Sequence, residues 1–552
     1  MNSFNQPPSK KWTRLGTRAA FILAALATVA VVFYEVENWR GERVWQDYRH
    51  QLEAHGEKLD IAAFTAPPVP DEKNFLKDPT VVKAVYRESG KPQTNWLAAL
   101  QFAGQHHGRA MAPIVLGRIR LITNSVDPNI PEIGRFTGPD AFEDYLRKAF
   151  GFRAIRDPRG RTPIDEIYAL PDTVKEISLR CQSLHDGIRR MDKLADRRFD
   201  FQGAKNGASE VRMLNYGSSA VSILEDCEPR KTELEALYHA AEQRPLAYAD
   251  EDWTAFLGGQ PHNFLDTYDA THFAAAHAKA CLITGNPGEA QRDLSVMARF
   301  IEAERLTPFL GRAIDRLDKA RIHVDVVGDG LREHLWREVD LAEIQKQLLE
   351  MKLLESLASG VRGSRVVRDS LWPQWSRTIW QLQPSGVGDY WATFHQFIEP
   401  HGWWFQDARI HDKRDQDAIE WLDGTITNGI AGNLDTLAAQ LKLPNGPMGV
   451  FDGQELLIDS IRSGCETQIL VNQAVLACGL ERVRLSQSRY PEHLADIPRD
   501  LLPQNPRDLF TGQPMKYSKE ATNYRLYSVG WNRADDKGAD DDIVWKYSDA
   551  TN

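Results

Sequence analysis

The sequence predicts a mostly α-helical protein. It has an N-terminal transmembrane helix, a body of helical hairpins of tetratricopeptide type, and a small C-terminal β-hairpin module that follows a long helix. Three observations predict this. The run Ala19–Tyr34 (AAFILAALATVAVVFY) is apolar and uncharged. Apolar residues at helical spacing recur through residues 81–488. The pattern then changes to short aromatic strands between turn signals in residues 489–552.

The anchor comes first. Sixteen residues of helix span about 24 Å, a little less than the hydrocarbon core. Trp12, Leu15 and Trp39 extend the span at its interfaces, and Arg18 can snorkel. Lys10, Lys11, Arg14 and Arg18 precede the run, whereas Glu35 and Glu37 follow it. The positive-inside rule makes residues 1–18 a cytoplasmic stub, residues 19–34 the anchor in the cytoplasmic (inner) membrane, and the bulk of the chain periplasmic. A cleaved signal peptide is the competing reading. Cleavage after Ala25-Leu26-Ala27 leaves an apolar region of only about six residues, so the uncleaved anchor is preferred.

Residues 35–80 read as a juxtamembrane helix, with Val44, Tyr48 and Leu52 on one face, followed by a Pro-rich linker or strap at Thr65-Ala-Pro-Pro-Val-Pro. Residues 81–450 form the helical body. Helices are expected at Asp140–Phe150, Thr173–Asp196, Lys231–Glu242, Asp266–Thr284, Glu289–Arg305, Pro308–His323, Leu341–Leu357 and Gln416–Leu441. The clearest supersecondary unit is an antiparallel pair. Ala274, His277, Ala278 and Cys281 line its first helix, Gly285-Asn-Pro-Gly breaks it, and Ala290, Leu294, Met297 and Ile301 line the second. Trp372, Trp375, Trp380, Trp391, Trp403 and Trp404 crowd one stretch, readable as a core layer or as a carbohydrate or peptide groove. Residues 451–488 hold a long amphipathic helix, Gln454–Arg484, with Leu457, Ile461, Cys465, Ile469, Leu476, Leu480 and Val483 on one stripe.

Composition narrows the function. A chain of 552 residues exceeds one ordinary core. The net charge of -10, with arginines at 153–161 and 189–198 interleaved with aspartate, argues against nucleic acid as a partner. Cys181, Cys227, Cys281, Cys465 and Cys478 are odd in number and widely spaced without a CxxC, which predicts buried free thiols rather than a zinc or disulfide framework. GxSxG, GxxxxGK[ST] and HExxH are absent, and no GxGxxG follows a strand. His272 and His277 are five apart, a packing arrangement rather than a metal face. His401, His411 and Asp412, with Glu399 and Asp407, are the densest His/acid neighbourhood, read as a solvated helix start. No catalytic or organic-cofactor residue is assigned, and the reading leans away from an enzyme.

The acidic loop near the C-terminus carries the one cofactor expectation. Asn532, Asp535, Asp536, Asp540, Asp541 and Asp542 place many hard oxygens in a Gly-containing loop, as Ca2+ requires. Asn532, Asp535, Asp540 and Asp542 are the candidate calcium ligands.

Two resemblances add to this. Asp508-Leu-Phe-x-Gly-x-Pro-x-x-Tyr, Tyr524-Arg-Leu-Tyr-Ser-Val-Gly and Asp540-Asp-Asp-Ile-Val-Trp resemble the C-terminal region of major pseudopilins of type II secretion systems, over about 60 residues. The resemblance implies a structural calcium, with Asn532 at the family's aspartate and Asp540 and Asp542 at its final acidic pair. Leu509 replaces the family's proline, and the N-terminus lacks a prepilin cleavage motif. A second resemblance covers more of the chain. The helix pair around Gly285, Asp340-Leu-Ala-Glu-Ile-Gln, Gly402-Trp-Trp-Phe-Gln and the Arg489-Tyr-Pro-Glu tail are similar to large uncharacterised single-pass membrane proteins of planctomycete and verrucomicrobial type. It implies the architecture and no reaction. The expected function is a membrane-anchored envelope protein that binds a protein or peptide partner. The alternatives are a component of a type II secretion or pilus-like assembly and a glycan-acting hydrolase.

Overall fold

The computed structural model describes residues 10–64, 69–88, 231–249, 263–378, 400–442 and 454–545, apart from a few single positions, together with residues 224 and 227. The helices expected at Asp140–Phe150 and Thr173–Asp196, together with Cys181, Trp380 and Trp391, lie outside these residues.

The described chain is mostly helical, with an apolar helix at its N-terminal end and a small antiparallel sheet at its C-terminal end. Helix α1 (Lys10–Ala54) is a single element of 45 residues, about 68 Å long. From Arg18 to Phe33 every position is exposed, including Phe21, Ile22, Leu26 and Val29. A helix apolar all round suits lipid rather than water. Among the described residues it is the one helix long and apolar enough to cross a membrane. Its second half differs, since Trp45 and Leu52 are buried against the body.

After α1 the chain turns through three short 3-10 segments, Ile61–Phe64, Asp71–Lys73 and Phe75–Lys77. The last of these is a strap on the body. Phe75 and Leu76 are fully buried, the Phe75 amide donates to the Leu246 carbonyl, and the Asn74 side chain donates to the Tyr248 carbonyl. Helix α2 (Pro79–Val85) and strand β1 (Tyr86–Glu88) follow, and β1 pairs antiparallel with β2 (Asn263–Leu265). With helix α3 (Lys231–Gln243) they close a smaller hydrophobic cluster around Phe75, Tyr238 and Phe300.

Helices α4 (Tyr268–Ile283) and α5 (Pro287–Ala303) pack along each other across the Gly285 turn. Helix α6 (Leu310–Arg332) runs nine residues past the expected end at His323, because Val324, Val326 and Val327 continue its buried face. The single helix expected over Leu341–Leu357 is two, α7 (Glu338–Glu350) and α8 (Leu353–Thr378). The break is held from elsewhere in the fold. Buried Arg316 donates to the Lys352 carbonyl at 3.0 Å and to the Ile301 carbonyl at 2.9 Å. The helix expected over Gln416–Leu441 is likewise divided into α9 (His401–Asn428) and α10 (Leu434–Leu441). Gly429 caps α9 in the left-handed conformation, and Asn433 caps α10 by accepting the Thr436 amide.

Helix α11 (Gln454–Gln487) is the centre of the main core. All seven residues of its predicted stripe are buried, and so are Val471, Val475, Ala477 and Cys478 around them. It therefore packs on several sides at once, against α6, α7, α8 and α10. Burial of each leucine or isoleucine here contributes about 1.5–3 kcal/mol.

The C-terminal module is a three-stranded antiparallel sheet rather than a hairpin. Its strands are β3 (Lys516–Lys519), β4 (Tyr524–Ser528) and β5 (Ile543–Val544), in the order β3-β4-β5. It shares the main core with the helical body, since Leu526 and Trp545 are buried in the same cluster as α11. The Gln473 side chain also donates to the Ile543 carbonyl at 2.5 Å.

The lead-in to this module is fastened at Glu481, which accepts from Arg484, His334 and the Tyr490 hydroxyl. Burial alone raises a carboxyl pKa, but the hydrogen bonds from Arg484 and His334 outweigh it and hold Glu481 at about 2. A depressed carboxyl stabilises the fold above its unfolded value, and that stability is lost as pH falls through the folded value. Glu481→Gln is thus expected to lose on the order of 3 kcal/mol at neutral pH. Its unfolding free energy should also change less than the wild type's between pH 4.5 and 2. Denaturant unfolding across that range checks both.

Candidate functional site

The α4–α5 hairpin builds the densest cluster of ligand-type side chains. His277 and Cys281 are four apart on α4 and so share one face. Asp293 lies on the second turn of α5, brought opposite them by the tight Gly285 turn. His277 Nδ1 lies 2.8 Å from Asp293 Oδ2, and Cys281 Sγ lies 3.9 Å from His277 Nε2. The Tyr238 hydroxyl, from α3, donates to Asp293 Oδ1 at 2.7 Å. All four residues are buried, beside a small apolar cavity lined by Leu234, Leu237, Phe273 and Phe300. Among the described residues this is the one group of three His, Cys or carboxylate side chains whose ligand atoms lie within 4.8 Å of one another.

The electrostatics follow from burial. Burial works against a charged His277, but the Asp293 carboxylate outweighs it and raises the imidazole pKa. Burial pushes the Cys281 thiol up, with Asp293 and Glu289 adding to the effect. A thiol held in this way is a poor nucleophile, so the Cys-His-Asp grouping does not read as a thiol-hydrolase triad. The sequence signal was the i, i+4 pair His277–Cys281, which is masked when histidines are compared only with each other. His272, read from its spacing as a packing residue, meets Tyr268 edge to face, and burial lowers its pKa to about 4.

The acidic loop is placed between β4 and β5, and its side chains largely hold its own backbone. Asn532 Oδ1 accepts the Ala534 amide, Asp535 Oδ1 accepts the Lys537 amide and the Tyr527 hydroxyl, and Asp542 Oδ2 accepts the Gly538 amide. Asp535 also pairs with Lys516 at 3.0 Å. Asp540 takes a positive φ of 47°, as do Arg533 (56°) and Lys537 (59°). Each such residue costs about 1–3 kcal/mol, which the surrounding hydrogen bonds offset. Asp542 Oδ1 is buried without a hydrogen-bond partner, and among the described residues no three of the loop's carboxylates bring ligand atoms within 4.8 Å of one another.

The motif residues of the tail are joined by one buried carboxylate. Asp508 accepts the Phe510 amide at Oδ1 and the Val529 amide at Oδ2, stitching the Asp508–Pro514 element to the Tyr524–Gly530 element.

His401 is exposed at the start of α9, and Glu399 lies outside the described residues, but the acids further along the helix are not solvated. Asp407 and Asp412 are buried where α9 meets α1 and α8. Asp412 accepts from Trp45 Nε1 at 3.2 Å and from Arg368 at 2.8 Å. Arg368 also pairs with Asp415. Burial and the neighbouring Asp412 push the carboxyl of Asp369 well above the usual range, against the pull of Arg368. The same interface holds Glu57, which pairs with Arg362 and with fully buried Arg365. Of the Trp-rich stretch, Trp404 is buried with Trp45, and Trp403 Nε1 donates to Glu37. Trp372 and Trp375 lie on α8. The carbohydrate-groove expectation rests on residues that extend beyond those described.

Compared with protein-family models, curated proteins and solved structures, the chain matches none.

Proposed function

We propose that this chain is a single-pass membrane protein whose helical body is a protein- or peptide-binding scaffold held at the periplasmic face of the cytoplasmic membrane. One observation carries the reading. Helix α1 is exposed and apolar through Arg18–Phe33, and the same unbroken helix is then gripped by the body. A soluble protein gains nothing by exposing that surface. The basic residues before the span and the acidic residues after it support the orientation. The α4–α5 hairpin supports the tetratricopeptide-type reading of that part of the body.

Protease added to intact spheroplasts tests this. The body should be digested, while the protein resists alkaline extraction from the membrane. Protection of the body would overturn the orientation, and release by alkali or an N-terminus beginning after Ala27 would overturn the anchor.

The tail favours a second reading, a component of a secretion or pilus-like assembly. Helix α11 packs on β4 and β5, as the pseudopilin resemblance implies. Affinity purification from detergent-solubilised envelopes separates the two. Secretion-system subunits in the eluate favour the second reading, and a persistent lack of any protein partner counts against the first. In either case Asn532, Asp535, Asp540 and Asp542 are the proposed calcium ligands, and the unpartnered Asp542 Oδ1 supports the assignment. The thermal midpoint is expected to rise by several degrees in calcium relative to chelator, and Asp542→Asn should abolish the rise. An unchanged wild-type midpoint removes calcium from the account.

A further inference from the structure

The geometry points to a second, transition-metal site of the zinc class inside the α4–α5 hairpin, with Cys281 Sγ and His277 Nε2 as ligands and Asp293 orienting the histidine. Two ligands sharing a tetrahedral zinc, one nitrogen and one sulfur, stand roughly 3.5 Å apart. Cys281 Sγ stands 3.9 Å from His277 Nε2 and 3.7 Å from Nδ1, so a rotation of the thiol, with the imidazole kept on Asp293, is needed to bring it to the Nε2 side. The Asp293 contact is of another kind. Its 2.8 Å distance to His277 Nδ1 is that of a hydrogen bond. A carboxylate on the remote ring nitrogen is the usual partner of a zinc-bound histidine, fixing the tautomer that leaves Nε2 free. Tyr238 in turn fixes Asp293 through its other oxygen.

Glu289 and the buried Cys227 both act electrostatically on this thiol, but they stand outside the trio whose ligand atoms lie within 4.8 Å of one another and would have to move in to fill the remaining positions. A thiolate with an imidazole is a donor pair of the kind that suits zinc, whereas calcium and magnesium prefer oxygen alone. On binding, the ion replaces the Cys281 thiol proton, which leaves to solvent. The site would join α3, α4 and α5 near the cavity lined by Leu234 and Phe273. Its effect would be to lock the hairpin, since the enclosed position suits a structural ion better than an exchanging substrate.

The test uses the full-length protein purified in detergent without chelator. Elemental analysis should find about one zinc or related ion per chain. Replacement by Co2+ should give a thiolate-to-cobalt absorption band. The band and the metal should both be lost in Cys281→Ser and kept in Cys478→Ser, which alters a buried cysteine on α11. Chelation of the wild type should lower its thermal midpoint, a readout that needs no variant to fold. The proposal is overturned if the wild type takes up neither zinc nor cobalt and its midpoint ignores chelator. It is also overturned if Cys281→Ser holds as much metal as the wild type, or if mass mapping finds Cys227 and Cys281 joined as a disulfide.

Discussion

Gly402→Ala is expected to lower the unfolding free energy by about 3 kcal/mol, near the upper end for overpacking a tight contact. Helices α1 and α9 cross where Gly41 faces Gly402. A β-carbon on Gly402 would fall on the Glu37 carbonyl, and one on Gly41 would fall on the Gly402 carbonyl. Both obstacles are backbone, so no side-chain rotation relieves them and the helices must part. The contacts around the crossing would go with it. The Gly402 amide donates to the Asn38 side chain at 2.9 Å, Trp403 and Gln406 both donate to Glu37, and Trp45 packs on Phe405. Gly424→Ala on the same helix is the control. Its β-carbon would meet open space, and the better helix propensity should leave stability unchanged or raised by up to ~1 kcal/mol. Thermal unfolding in detergent measures both, and trypsin reports the crossing itself, since a released α1 uncovers the half-buried Arg49. Equal midpoints for the two variants would mean that the crossing contributes little.

Glu57→Ala is expected to cost about 3–5 kcal/mol, because it leaves a buried charge without its counter-ion. Arg365 is fully buried and donates to Glu57 at 2.6 Å and to Gln416 at 2.7 Å. Its Nε already has no partner, so the site has no spare acceptor to take over. The double variant Glu57→Leu with Arg365→Met should recover most of the loss, since removing both charges also removes the desolvation penalty. Denaturant unfolding of the single and double variants gives the comparison. A single variant within ~1 kcal/mol of wild type would place this pair with ordinary surface bridges.

Periodic apolar patterning made most helices legible. The stripe from Leu457 to Val483 predicts a buried face, and each of its residues is buried. Patterning says little about where a helix stops when the stop is imposed from outside. Nothing near Met351 breaks a helix, and the break there depends on Arg316 reaching the Lys352 carbonyl from another helix. The third strand escaped for a related reason. Ile543–Val544 is too short to show alternation and is defined by its pairing with Tyr527 and Ser528. The Gly41–Gly402 crossing joins residues far apart in the chain, and a glycine inside a helical pattern reads only as a weak point. The His277 cluster was half visible. Its i, i+4 pair lies in the sequence, but Asp293 and Tyr238 converge on it only once three helices are packed.

The position of the crossing has a consequence for reach. The apolar stretch of α1 ends at Tyr34, and the body takes hold at Glu37 and Asn38. Three residues of helix advance about 4.5 Å. Trp403, at the start of α9, even touches Phe33 within the apolar stretch. Tyr34, Trp39 and Trp403 thus gather at one level, where aromatic residues favour the lipid headgroups. In a bilayer the body would have no stalk. It would rest on the headgroups at a fixed standoff and tilt, and its encounters would be confined to two dimensions. A partner carried in the same membrane would then meet it by lateral diffusion, whereas a partner far above the bilayer would have to come down to it.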